Sequence, residues 1–407
     1  MKYSAHPYTS HGFLPAATLL RRDRWLVVVL FVLPVVLVVM LWSIFAQGIV
    51  RDLPIAVVDL SNSSLSRQLI RQYDASPTLA VTREYGNAQP AKQDLIDSEV
   101  YAYLVIPRDL DKQMRLGLSP QLTLFYNGQY LLMGRLVSSA AMQAQGTLNA
   151  QISVLQAMGH GHVTPAGAFG QAMPMQSQVT ALFNLNSNYT IFLLGAIVPA
   201  LWQVVMVAGT VLVLTAQMRL SNGSYLTAGS SAQCFCRIGR SLLWLWALYC
   251  AQGLLFLTWF FYGLDWPLHW QAGLGGLNHW LILIFAQVVT ALVSIVMGAL
   301  FYFLTLDAAR AMSFAGAFSA PSFAFMGITF PVTNMGHFAI WWRDLLPITH
   351  YIDVQVSQIN YAAPLMTALN HMKPMLGYII AVIALLLLVD FQRQQQAKHA
   401  GQVEGVL

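Results

Sequence analysis

Few residues in this chain have the type and spacing to do chemistry. Cys234 and Cys236 form a lone C-x-C, and Cys250 is the third cysteine. Zinc takes four ligands, and no histidine or second cysteine pair stands nearby, so the pair is expected to be two small loop residues. His160 and His162 form H-G-H inside GHGHVTPAGAFGQAMPMQ, where a glycine-rich loop is the simpler expectation. Asp59 closes a strand-like run just before Ser61–Ser64, which favours helix capping over catalysis. No phosphate cradle of the form G-x-x-x-x-G-K followed by Ser or Thr occurs, nor G-x-S-x-G, H-E-x-x-H or C-x-x-C. No catalytic, cofactor or metal set is therefore assigned to this chain.

The elements that must position these residues are set by composition. The chain has 407 residues, of which 57% are hydrophobic and 9% charged. Its mean hydropathy is +0.57. A soluble domain carries about 25% charged residues, so an integral membrane protein is expected. Uncharged windows locate its spans: 26 residues between Arg24 and Arg51, 24 between Arg240 and Asp265, 41 between Asp265 and Asp307, and 32 between Arg310 and Arg343. Tyr189–Met218 and the run MLGYIIAVIALLLLV add two more. At about 20 apolar residues per span, the expected fold is an α-helical polytopic membrane protein. It has six transmembrane helices and an α/β domain inserted between the first and second. The first apolar block is too long for a signal-peptide core and is read as a retained span.

The domain expectation follows. Residues 1–24 form an N-terminal interfacial helix, with Phe13, Ala17 and Leu20 on one face, and 25–49 form the first span. Residues 50–187 form the inserted domain, 188–392 spans two to six, and 393–407 a tail. In the insert, IAVVD, TLAVT, VYAYLVI and QLTLFY are strand-like and alternate with helical patterns. Ser61 or Asn62 can cap a helix with Leu65, Leu69 and Tyr73 on one face, and Pro90 suits the first turn of the next. A long helical pattern runs from Gln129 to about Met158. The insert holds nine basic and nine acidic residues, so the whole excess of +5 lies outside it. Lys2, Arg21, Arg22, Arg24, Arg219, Arg237, Arg240, Arg310, Arg393 and Lys398 fall in four segments that the positive-inside rule places in the cytoplasm. Both termini are then inside and the insert outside. The basic pI of 9.1 is thus a topology signal and implies no nucleic-acid partner.

The chain resembles ABC-2 type exporter permeases, in the drug-exporter-like branch with a large periplasmic domain. Three features carry the resemblance: one span, a large insert, then five spans; the opening PIAVVDLSNSSLSRQLIRQY with IPRDL further on; and GITFPVTNMGHFAIWWRDLLPITHYID. In the last of these, Phe330, Pro331, Leu346, Pro347 and Tyr351 stand at the family's span-five exit and re-entrant helices (331–360). The resemblance implies a bacterial inner-membrane permease, dimerised with a second copy or a paralogue. Two separate ATPase subunits would supply ATP and magnesium chemistry, and a periplasmic adaptor and outer-membrane channel can complete such a pump. The family's acidic E-x-G-T-like loop motif is missing: QMRLSNGSYLTAG has no glutamate.

The coupling loop 217–240, with Arg219, Asn222, Gly223, Ser224 and Arg237, is expected to meet the ATPase together with Arg21, Arg22 and Arg24. Candidate substrate-path residues are Tyr189, Phe192, Trp202, Phe314, Phe318, Phe323 and Phe325, whose aromatic surface suits lipophilic substrates. Asp307 and Arg310 could latch the turn before span five. Asp265, Asp307, Arg310 and Asp390 all lie near span ends, which speaks against a proton-coupled secondary transporter. The alternative from another class is a non-transporting sensor or assembly scaffold whose outer domain binds a ligand.

Overall fold

The computed structural model describes residues 13–46, 48–116, 118–159, 188–263 and 274–404. The H-G-H pair and Asp265 lie outside these. The described chain is mostly helical and divides into two compact units, Ile49–Ala181 and the remainder.

The helical unit begins with α1 (Ala16–Arg22) and α2 (Arg24–Phe45), separated by Asp23, whose carboxylate caps α2 by accepting from the Trp25 amide. In α1 Leu19 is buried, as is Leu14 just before it, while Ala17 is exposed, so the buried face is turned from the one that Phe13, Ala17 and Leu20 would define.

The inserted unit contains β1 (Leu53–Asp59), α3 (Ser64–Asp74), β2 (Leu79–Tyr85), α4 (Ala88–Ile96), β3 (Ala102–Ile106), α5 (Leu110–Arg115), β4 (Thr123–Tyr126) and α6 (Leu131–Gly159). Its sheet order is β2-β1-β3-β4, parallel except for β4. β1 is covered on both faces, which is why it reads as an unbroken apolar run. Ile55 and Val57 pack with Leu69 and Tyr73 of α3 and with α6; Ala56 and Val58 pack with Ala91 of α4. Ser63 caps α3 in a reciprocal pair with Ser66, in place of the expected Ser61 or Asn62. Asn87 caps α4. Asp94 accepts from the Tyr85 hydroxyl at 2.7 Å and pairs with Arg83 at 2.7 Å; the tyrosine bond, then the guanidinium, hold its carboxyl below the usual range.

The helical unit resumes with α7 (Tyr189–Leu220), α8 (Ser224–Thr227), α9 (Ser231–Thr258) and α10 (Leu274–Thr305). Then come α11 (Ala308–Ser319), α12 (Ser322–Phe325), α13 (His337–Asp344), α14 (Pro347–Ile359), α15 (Leu365–Met372) and α16 (Ile379–Glu404). Among the described residues, five helices are long and apolar enough to cross a membrane: Arg24–Phe45, Tyr189–Leu220, Ser231–Tyr262, Gly276–Thr305 and Leu365–Lys398. The segment expected as span five is not one of them. It breaks at Pro321, leaving the 12-residue α11 and the single turn of α12. Twelve residues rise about 18 Å, short of a hydrocarbon layer of about 30 Å.

Glycine sets how closely the long helices approach. A Cβ on Gly298 of α10 would lie 2.6 Å from the Val207 carbonyl oxygen of α7 and 2.9 Å from Thr210 Cβ, so bare backbone is required there. Gly316 of α11 faces open space.

Two outcomes are expected. Gly298→Ala lowers the thermal unfolding midpoint in detergent by the equivalent of about 1–3 kcal/mol, whereas Gly316→Ala leaves it unchanged or raises it. The Asp94 contribution is present above its ordinary value of about 3.9 and disappears as pH falls through the depressed folded value. The small midpoint difference between wild type and Asp94→Asn should therefore shrink on acidification; a difference independent of pH would contradict this.

Candidate functional site

The turn after α7 folds around its own arginine. Asn222 and Gly223 both take the left-handed region, at φ 50° and 81°, which asparagine and glycine enter most cheaply. Ser224 Oγ donates to the Ser221 carbonyl at 2.7 Å, and Ser230 caps α9 reciprocally with Gln233. Arg237, only 6% exposed, sends Nε to the Tyr225 carbonyl at 3.0 Å and Nη2 to that of Ala228 at 2.6 Å. The Tyr225 hydroxyl donates to Ser241 at 2.8 Å. The arginine expected as a partner contact is thus an internal tie of residues 225–228, its charge spread over helix-end carbonyls.

Three further contacts fasten this turn to other elements. The Gln217 amide donates to the Leu14 carbonyl at 2.8 Å and accepts from the Leu14 N–H at 3.2 Å. Arg219 pairs with Asp23. Arg393 of α16 donates to the Gly229 carbonyl at 2.9 Å and to Ser231. The Gln392 amide meets the Phe303 carbonyl, so the end of α10 lies at the same end of the unit. Arg21, Arg22, Arg24, Arg240 and Arg310 are exposed. Asp307 caps α11 through the Arg310 backbone amide at 2.8 Å, in place of a side-chain latch. Cys234 and Cys236 sit on α9 rather than in a loop, one buried and the other exposed, so they do not converge.

A second constellation lies in the middle of the unit and rests on uncharged amides. Pro34 in α2 and Pro199 in α7 have no N–H, so each frees the carbonyl four residues earlier. The Leu30 carbonyl is taken by the Gln252 amide of α9 at 2.5 Å. The Gly195 carbonyl is taken by the Gln355 amide of α14 at 2.8 Å. Where α14 starts at Pro347, its first free amide, that of Ile348, donates to Gln203 of α7 at 2.9 Å; the same side chain donates to Ser322 at the α11–α12 break. Gln287 donates to the Gly253 carbonyl at 3.0 Å and to the Tyr351 hydroxyl at 3.2 Å. Tyr351 in turn packs edge-on against Trp202, with ring centroids 6.4 Å apart.

Helices α13 and α14 form a hairpin closed by an ion pair that the sequence did not flag. Arg343, 8% exposed, meets Asp353 at 2.5 Å, and its carbonyl accepts from the Thr349 hydroxyl at 2.8 Å. Leu346, Pro347 and Tyr351 are buried in this hairpin, while Phe330 and Pro331 are exposed before it. The aromatic set does not converge. Trp202 and Phe318 are buried; Tyr189, Phe323 and Phe325 are half-buried; Phe192 and Phe314 are exposed. A groove of about 560 Å³ between α10, α11 and α16 takes in Phe318 and none of the other six.

The sequence profile of a family described as ABC-2 family transporter protein matches residues 24–388 of the chain. A search of curated proteins finds no match.

The amide–proline pairing predicts a coupling in a double-mutant cycle. Gln355→Leu leaves the Gly195 carbonyl buried and unpaired and should cost about 1–3 kcal/mol. In a Pro199→Ala background the alanine N–H can reclaim that carbonyl, so the same change should cost distinctly less. Thermal unfolding of the four proteins in one detergent measures it; equal costs in both backgrounds would refute the pairing.

Proposed function

The chain belongs to the ABC-2 transporter family, and on that premise we propose that it is the permease subunit of an ATP-driven exporter. The family match carries this reading. The folded turn at 217–240 supports it, because Gln217, Arg219 and Arg393 join that turn to the N-terminal helix and to the last helix. A push on such a turn would be passed to α1, α7, α9 and α16 together.

In this reading the basic end faces the cytoplasm of a bacterial cell and meets two ATPase subunits through Arg21, Arg22, Arg24 and Arg219. ATP and magnesium act in those subunits. The inserted unit is periplasmic, with an adaptor and outer-membrane channel as its further partners. The broken helix α11–α12, followed by the re-entrant hairpin α13–α14, completes six crossings. A second copy or a paralogue pairs with this chain. Drugs or other amphipathic molecules leave along the aromatic surfaces, with Phe192 and Phe314 available to the second copy.

A sensor or assembly scaffold is the second reading, and the missing loop glutamate is the observation that favours it. Affinity purification of the tagged full chain from its native membrane separates the two. The expected outcome is recovery of an ATPase subunit, with ATP hydrolysis that falls at least about tenfold for Arg219→Glu combined with Arg22→Glu. Recovery of the chain with no ATPase, together with unchanged efflux of amphipathic dyes in its absence, would favour the scaffold.

A further inference from the structure

The inserted unit contains a crevice that the export reading does not use. In the order β2-β1-β3-β4, the chain leaves β1 toward β2 on one side and leaves β3 toward β4 on the other. The segments after β1 and β3 therefore turn away from each other at the carboxyl ends of two adjacent parallel strands. In open α/β sheets this divergence leaves a ligand-accepting crevice. Here it is a concavity of about 470 Å³, lined by Ser61 and Ser63 after β1 and by Arg108, Asp111, Lys112 and Arg115 after β3.

The charges of that crevice are unbalanced and uncommitted. Arg108, Lys112 and Arg115 fall at i, i+4 and i+7, on one face of the turn and helix α5, and all three are exposed. None of them is in an ion pair among the described residues. Asp111 is the single acid in the lining. Asp59, at the end of β1, is already committed: one oxygen accepts from the Ser61 and Asn62 amides at 2.9 and 3.0 Å, the other from the Ser66 hydroxyl at 2.6 Å. Those bonds shape the loop that carries Ser61 and Ser63. Asp109 lies exposed beside Arg108, and Arg67 is tied to the Asn62 carbonyl at 3.2 Å. Three cations and two hydroxyls around one concavity match an anion with several acceptor oxygens.

We propose that this crevice binds a phosphate-type anion, either a free phosphate compound or the phosphodiester of an anionic lipid headgroup. The proposal stands apart from the export reading, since it concerns the inserted unit alone.

Hydrogen exchange of the full chain in nanodiscs tests it, with inorganic diphosphate and dihexanoyl phosphatidylglycerol added in separate arms at matched ionic strength. Exchange in 61–66 and 107–116 should slow about twofold when the added compound is at its dissociation constant. Slowing by diphosphate identifies a free phosphate ligand, and slowing by the lipid alone identifies a headgroup. In either case the effect should vanish in the triple variant Arg108→Gln/Lys112→Gln/Arg115→Gln and persist in Lys92→Gln, which removes one charge elsewhere on the same unit. No slowing in either arm, equal slowing in the triple variant, equal loss in Lys92→Gln, or equal slowing by sodium chloride would each overturn it.

Discussion

A backbone carbonyl freed inside an apolar bundle has no water to turn to, and the helical unit is arranged around that constraint. Pro34 and Pro199 each interrupt a backbone ladder, and the start of α14 at Pro347 leaves the Ile348 amide free. Each is answered by a buried glutamine on another helix: Gln252, Gln355 and Gln203. An unsatisfied polar group in hydrocarbon costs several kcal/mol, so these bonds fix which helices can be neighbours. They pin α9 to α2, α14 to α7, and α7 to the start of α14. A charged side chain could make the same bonds, but it would carry a desolvation cost that an amide avoids.

The hairpin α13–α14 shows the same economy. The partly buried ion pair Arg343–Asp353 closes the turn that Pro347 opens, and Thr349 satisfies the Arg343 carbonyl. Most of α14 is buried, so its polar residues all need partners within the protein. The glycine contact at Gly298 lets α10 lie close to α7, and Gln287 on α10 and Gln203 on α7 each reach α14.

At the basic end the logic changes, because water is available. There the side chains are cationic, and Arg237 and Arg393 bind carbonyls of the 225–231 segment. Exposed pairs such as Arg219–Asp23 are worth at most about 1 kcal/mol. They orient the turn, and the buried Arg237 and the Tyr225–Ser241 bond hold it. The segment is thereby a folded element, fastened to α9 by Arg237 and to α16 by Arg393.

Hydropathy and charge are local properties, so the apolar helices, the inserted α/β region and the basic end could be read directly from the residues. The strand runs and the helix from Gln129 were legible for the same reason: their periodicity is a property of neighbouring residues. The break at Pro321 is signalled by the proline, but the continuous apolar run around it reads as one span, and only the structure shows that the helix stops there. The α3 cap is Ser63 rather than Ser61 or Asn62, since all three side chains can accept an N-cap bond and the backbone dihedrals decide which one does. Arg237 became an interior tie, and the aromatic set dispersed, because the face a helical residue presents depends on which helix lies beside it. The glutamines were invisible as a group for the same reason: Gln355 and Pro199 are far apart in the chain. What the chain order determined was the type of each element. What only the tertiary structure decided was which side chain answers each broken backbone bond, because in a medium without water that partner must come from another helix.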